Sequence, residues 1–260
     1  MRGTTIGAAL TGALAIAALL VPGAQADEVV GNADAGAFRI SGGGGSGNDV
    51  VLGVTDSRKI TVSLTASDDS GIDVADFTLY HGRSLATADA VLKAAETTPV
   101  CKADGTTSVC TKHYTVAPRR DLKNSLAGIW TVAVDVRAND GDYVKADGHT
   151  TFFMKRYAKL TTNASPEPVA KGGTLTVSGK LTRANWDTHD YRGYANQNVS
   201  LQFRRPSTDY YEPLGYVETN TYGVATTKGT VSADRYWRYY FRGTMTTGAA
   251  KAPGDFVDVR

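Results

Sequence analysis

The chain has 260 residues, with 28 Lys and Arg against 26 Asp and Glu and a formal charge of +2. A balance this close excludes the concentrated basic stripe that nucleic-acid binders carry, so no nucleic-acid partner is expected. The length suits one large domain or two small ones.

Residues 1–26 read as a secretory signal peptide. Arg2 supplies a positive start, Ile6 to Val21 is apolar, Pro22 and Gly23 break the run, and Ala24-Gln25-Ala26 fits a small-x-small cleavage site. The apolar stretch is short for a membrane span and no Lys/Arg cluster follows it, so a membrane anchor is not expected. The predicted product is secreted and extracellular, starting at Asp27. The tract Gly42–Gly47, "GGGGSG", reads as a flexible loop. No Lys-Ser/Thr follows it to make a phosphate-binding loop.

Alternation with period two then begins. In "KITVSLTAS" Ile60, Val62 and Leu64 share one face, and Thr61, Ser63 and Thr65 the other, as in a half-buried strand. The acidic turn "DDSGID" follows with Asp68, Asp69 and Asp73. With "NDGD" further on, which adds Asp140 and Asp142, it is a candidate calcium loop set; ordinary solvated turns are the alternative. Residues 86–96, "ATADAVLKAAE", place Ala88, Val91, Leu92 and Ala95 at helical spacing, predicting one short helix. Cys101 and Cys110 flank an Asp104-Gly105 turn signal, which predicts a disulfide across a hairpin in an oxidising compartment. The spacing is not CxxC, and no second pair completes a metal site. In "WTVAVDVRA" the inward set is Trp130, Val132, Val134 and Val136, and "TTFFMKR" reads as a closing strand.

A boundary is expected near Arg156-Tyr157, with no Gly/Ser run between the strands on either side, so the junction should be stiff. The predicted organisation is a signal peptide (1–26), a first sandwich domain (27–156) and a second (157–260). Residues 27–157 hold 14 Lys/Arg against 17 Asp/Glu, whereas 158–260 hold 13 against 9 and nine of the thirteen tyrosines. Strands continue with Leu175, Val177 and Leu181, then with Val199, Leu201 and Phe203. Short strands divided by Gly, Asp, Asn and Pro turns predict an all-β chain of antiparallel sandwiches.

"DRYWRYYFRG", residues 234–243, holds five aromatics and three arginines. As a strand it puts Trp237, Tyr239 and Phe241 inward, and Tyr236, Arg238, Tyr240 and Arg242 outward. Trp130 and Trp237 are expected to anchor the two cores. The outward set is either a ladder of stacked side chains or a ligand face, extended in the second case by Trp186, Tyr191 and Tyr194 from "RANWDTHDYRGYANQ".

"ITVSLTASDDSGI" and "AGIWTVAVDVRANDGD" resemble bacterial immunoglobulin-like modules. The run from "LTTNASPEPVAKGGTLTVSGKLTRANW" through "YRGYANQNVSLQFR" to "YWRYYFRGT" and "GDFVDVR" is similar to a domain of secreted actinobacterial proteins. The resemblance implies two tandem immunoglobulin-like sandwiches and brings no catalytic residues. His81, His113, His149 and His189 are scattered, and no hydrolase, kinase, zinc-protease or cofactor motif appears. The expectation is a secreted, non-enzymatic binding or surface protein for an extracellular polysaccharide or protein. The rivals are an enzyme whose site is built from distant loops and a protein-binding inhibitor or toxin.

Overall fold

The computed structural model describes residues 27–260. The signal-peptide expectation for residues 1–26 lies outside the described residues. The chain is almost entirely β and forms two antiparallel sandwiches in tandem, an immunoglobulin-like architecture.

In the first sandwich one sheet runs Glu28–Val30, Tyr143–Arg156, Gly128–Ala138, Ile72–His81 and Ala90–Val91, with Val50–Leu52 added in parallel to the end of Tyr143–Arg156. The facing sheet runs Asp34–Ser41, Arg58–Ser67, Thr107–Val116 and Val100–Asp104. Alternation decides what each strand buries: Ile60, Val62, Leu64 and Ala66 go inward, while Thr61, Ser63 and Thr65 remain partly exposed. They meet Phe77, Leu79, Trp130, Val132 and Phe152 from the other sheet. Each large side chain removed from water in this way contributes about 1.5–3 kcal/mol. Trp130 buries its one polar atom at no loss, because its ring N–H donates to the Leu126 carbonyl at 2.8 Å.

Cys101 and Cys110 are bonded as predicted, directly opposite each other on the hairpin of Val100–Asp104 and Thr107–Val116. Gly105 in its two-residue turn has φ +61°, a conformation that glycine adopts without strain.

Two local expectations are corrected. Residues 86–96 form no α-helix. Leu85–Thr87 is a single 3-10 turn capped by Ser84, after which the segment crosses from one sheet edge to the other. Leu92 N–H donates to the Leu79 carbonyl at 2.9 Å, and Ala95 N–H to the His113 carbonyl at 2.7 Å. The donors that a helix would use internally satisfy sheet edges instead. The Gly42–Gly47 tract is a shaped turn rather than a slack tether. Val51 N–H bonds the Gly43 carbonyl at 2.8 Å, and a Cβ on Gly42 would stand 2.7 Å from the Lys59 carbonyl oxygen.

In the second sandwich, Thr174–Asn185 pairs with Ala158–Leu160, Asn163–Ser165, Asp190–Gly193 and Val224–Thr230. In the other sheet Arg235–Phe241 lies between Asn198–Arg204 and the short strands Ala250–Lys251 and Asp255–Val257, with Glu212–Glu218 outermost. The core holds Leu175, Val177, Leu181, Val199, Leu201, Tyr239 and Phe241. Trp237 does point inward but is only half-buried, packed on Phe203 at the rim with its ring N–H unpartnered. Tyr239 takes the anchoring place, fully buried, its hydroxyl donating to the Val177 carbonyl at 3.0 Å.

One residue, Tyr157, separates the last strand of the first sandwich from Ala158–Leu160. Trp186, just past the end of Thr174–Asn185, is 1% exposed and belongs to the core of the first sandwich together with Ala184. Its ring N–H donates to the Gly53 carbonyl at 2.9 Å. Asn124 completes the junction. Its side-chain carbonyl accepts from Trp186 N–H (2.9 Å) and from the Arg156 guanidinium (2.6 Å), and its side-chain amide donates to Asn185 and Asp187 (2.7 and 2.6 Å).

Candidate functional site

Two groups of polar side chains stand out once the strands are placed. The first covers the outer face of Arg235–Phe241. Tyr236, Arg238 and Tyr240 are half-buried there and Arg242 is exposed. Register sets their neighbours: Tyr236 opposite Arg204, Arg238 opposite Gln202, Tyr240 opposite Ser200, and Ser200 in turn opposite Tyr216. The Arg204 guanidinium lies 3.7 Å over the Tyr236 ring, and that of Arg238 lies 3.6 Å over Tyr211 while donating to the Gln202 side chain at 2.9 Å. These are cation–π distances. Burial under this packing lowers the Arg238 pKa from its ordinary value. Tyr216 and Tyr240 flank Ser200, which is buried although it sits on the outer side. The result is a flat aromatic and cationic surface, with Tyr210, Leu214, Tyr216 and Phe256 exposed around it.

Tyr211 and Tyr216 were missed by the sequence reading. They lie at or before an edge strand, and no periodicity says that their rings meet arginines two strands away. The three residues expected to extend the face are elsewhere. Trp186 is corrected outright, since it is buried in the opposite sandwich and its contact surface is spent there. Tyr191 stands at the junction, edge-on to Tyr157 at 6.5 Å with Lys159 over its ring at 3.7 Å. Tyr194 packs on Phe241 in the second core, with Arg183 stacked on it at 3.8 Å.

The second group closes the end of the first sandwich remote from the junction. Asp68, Asp140 and Asp142 bring carboxylate oxygens within 4.8 Å of one another. Asp69 and Asp73 are exposed and stand outside this group. Asp68 is 4% exposed. One oxygen accepts from the Ser70 N–H at 2.8 Å and hydroxyl at 2.6 Å; the other is buried with no partner. The neighbouring loops are tied to each other: Asn139 amide to the Ser70 carbonyl (2.8 Å), Asp140 N–H to the Ser70 hydroxyl (3.2 Å), and Asn32 N–H to Asp142 (2.8 Å).

Two of the histidines are engaged locally, His149 Nε2 lies 3.1 Å from the distant Gly36 carbonyl, and His189 Nδ1 is buried without a partner. His81 pairs with Asp89 and His113 with Glu96, both at 2.7 Å, and among the described residues neither bonds a Ser, Thr or Cys side chain. The cleft between residues 90–95 and Tyr114 carries Arg120 and Asp121, which pair with each other at 2.7 Å.

Comparison with known proteins adds little to this geometry. Neither the family models nor the curated proteins match the sequence. Among solved structures, the D0-D1 domain of intimin aligns over 86% of this chain and 98% of its own, at 12% identity and a TM-score of 0.27. The full ectodomain of mouse nectin-like molecule 4 aligns over 82% and 68% at 14% identity, with a TM-score of 0.24. BcpA, the major pilin subunit of Bacillus cereus, aligns over 90% and 69% at 7% identity, with a TM-score of 0.22. Likenesses this loose carry no ligand, partner or residue role across. The resemblance to secreted actinobacterial domains likewise has no family model behind it.

Proposed function

We propose that this is a secreted, non-enzymatic surface or binding protein. In this reading its second sandwich presents the Tyr/Arg face to an extracellular polysaccharide or protein bearing acidic groups. The division into folding units between residues 156 and 157 belongs to the same proposal. One observation supports it above the rest: Tyr236, Arg238 and Tyr240 form a flat, pre-stacked surface with further exposed aromatics at its margin. Rings locked by cations lose little entropy on binding, and they offer planes to sugar rings or side chains while the guanidinium edges meet carboxylate or sulfate. The disulfide suits an oxidising compartment, and among the described residues no helix is long and apolar enough to cross a membrane.

The test is retention on immobilised dextran sulfate, unsubstituted dextran and cell-wall material over a salt series. Wild type should be retained on the anionic matrix and released as salt rises. Arg238→Ala/Arg242→Ala, shown to unfold at an unchanged temperature, should bind about tenfold more weakly, as loss of contacts worth more than about 1 kcal/mol implies. Equal retention of the double variant on every matrix would reduce the face to a structural ladder.

A further inference from the structure

We infer that Asp68, Asp140 and Asp142 form a calcium site that clamps the loops at the free end of the first sandwich. A cluster of exposed acids would not carry this, because acidic turns are common. What carries it is the buried member. Asp68 is 4% exposed, and one of its carboxylate oxygens has no donor among the described residues. Asp140 and Asp142 each bring a carboxylate oxygen within 4.8 Å of one from Asp68. Among the described residues none of the three aspartates pairs with Lys, Arg or His. Burying a carboxylate without a partner is costly, and placing two more beside it adds repulsion. A trapped water would supply the missing hydrogen bond and leave the negative charges facing one another. A cation removes both costs.

The donor set selects the ion. All the charged ligands are hard oxygens, and among the described residues no His or Cys joins them, which disfavours zinc and copper. Three carboxylates favour a divalent ion over a monovalent one. The site is assembled from loops around Asn32, Asp68–Gly71 and Asn139–Asp142, which suits the variable coordination of calcium better than the strict octahedron of magnesium. The loops are already placed. Asp68 N–H bonds the Thr106 carbonyl at 3.0 Å, Asn139 N–H the Gly71 carbonyl at 3.0 Å, and Gly31 leaves room that a Cβ would take from the Asp142 carboxylate. The ion therefore joins two loops, with the Asn32 loop tied to Asp142, and its affinity belongs in the range of extracellular calcium modules, about 10⁻⁴–10⁻³ M.

The experiment is thermal unfolding of the mature protein in EDTA, in 10 mM calcium and in 10 mM magnesium, with calorimetric titration of calcium alongside. Wild type should gain about 5–10 °C in calcium over EDTA, much less in magnesium, and titrate with one ion per chain. Asp140→Asn/Asp142→Asn changes side chains that are not buried. It should fold in EDTA at least as well as wild type and lose both the thermal gain and the titration heat. Identical unfolding of wild type in calcium and EDTA, with no heat, would overturn the site. So would a double variant that keeps the wild-type response, since the ion would then lie elsewhere.

Discussion

The two ends of the first sandwich each bury an ionised side chain, and they treat it in opposite ways. At the junction Arg156 is 7% exposed, and burial together with the nearby Arg183 lowers its pKa to about 10. The chain answers with neutral dipoles. Asn124 uses both lone pairs and both amide protons, one lone pair taking an Arg156 Nη1 proton, while Arg156 Nε is left buried without a partner. At the far tip Asp68 is buried as deeply and is met by two more aspartates. The amide at the junction satisfies part of one charge from inside the chain, whereas at the tip carboxylates outnumber the one serine that bonds the other. Buried polar groups thus differ less in how deep they lie than in whether the sequence carries their complement.

Removing the junction should have the largest effect. Trp186→Ala deletes a ring buried in the core of the other sandwich, and about 3–5 kcal/mol of stability should go with it. Calorimetry should then resolve two transitions where wild type shows closer coupling; a single transition at the wild-type temperature would mean that the ring is no latch. Next comes the hairpin beside the tip. Cys101→Ser/Cys110→Ser releases a loop of nine residues' separation, which the chain-entropy model values at about 2.7 kcal/mol. Since Asp68 N–H bonds the turn of that hairpin at Thr106, the loss should also weaken the calcium response. Urea denaturation and calcium titration of the variant read the two effects separately, and an unaltered titration would uncouple hairpin from tip. The smallest effect has the opposite sign. Asp68→Asn in EDTA keeps an oxygen for Ser70 and removes a buried charge beside two carboxylates, so it should stabilise by about 1–2 kcal/mol. Destabilisation in EDTA would show that the charge is compensated within the protein after all.

The pH dependence of the junction follows from the direction of the Arg156 shift. A pKa lowered on folding means that the charged form is the one penalised. The penalty is constant below about pH 10 and is relieved only as pH rises towards the unfolded value. Arg156 should therefore add no slope to stability between pH 5 and 9.

Much of this architecture was legible in the sequence because alternation is a local signal. Ile60, Val62 and Leu64, or Trp130 to Val136, name their own faces without reference to any partner, and the Cys101–Cys110 hairpin is written in its turn. Apart from Trp237, in phase but at the rim, the misses are partners distant in sequence. Ala88 to Ala95 has helical spacing, but sheet edges at Leu79 and His113 claim its backbone donors. Trp186 sits in a polar stretch that reads as surface, and the carbonyl it meets is 133 positions away. Tyr211 was invisible as a partner of Arg238 for the same reason. Asp68 did leave a trace: it continues the inward phase of Ile60, Val62, Leu64 and Ala66, and Asp140 that of Val134, Val136 and Ala138. Extending each alternation past its strand end separates these two from Asp69, which falls on the outward phase.

The Trp186 latch also bears on how force travels through the molecule. With a single residue between the sandwiches and an indole seated across the joint, bending between them requires extracting a buried aromatic ring rather than turning a few backbone torsions. A pull on the outer face of the second sandwich is therefore delivered to the first as torque, much as through a welded lever arm. In flowing liquid or on a moving surface, such a molecule would hold its reach and orientation, and the joint would yield only once the ring is drawn out.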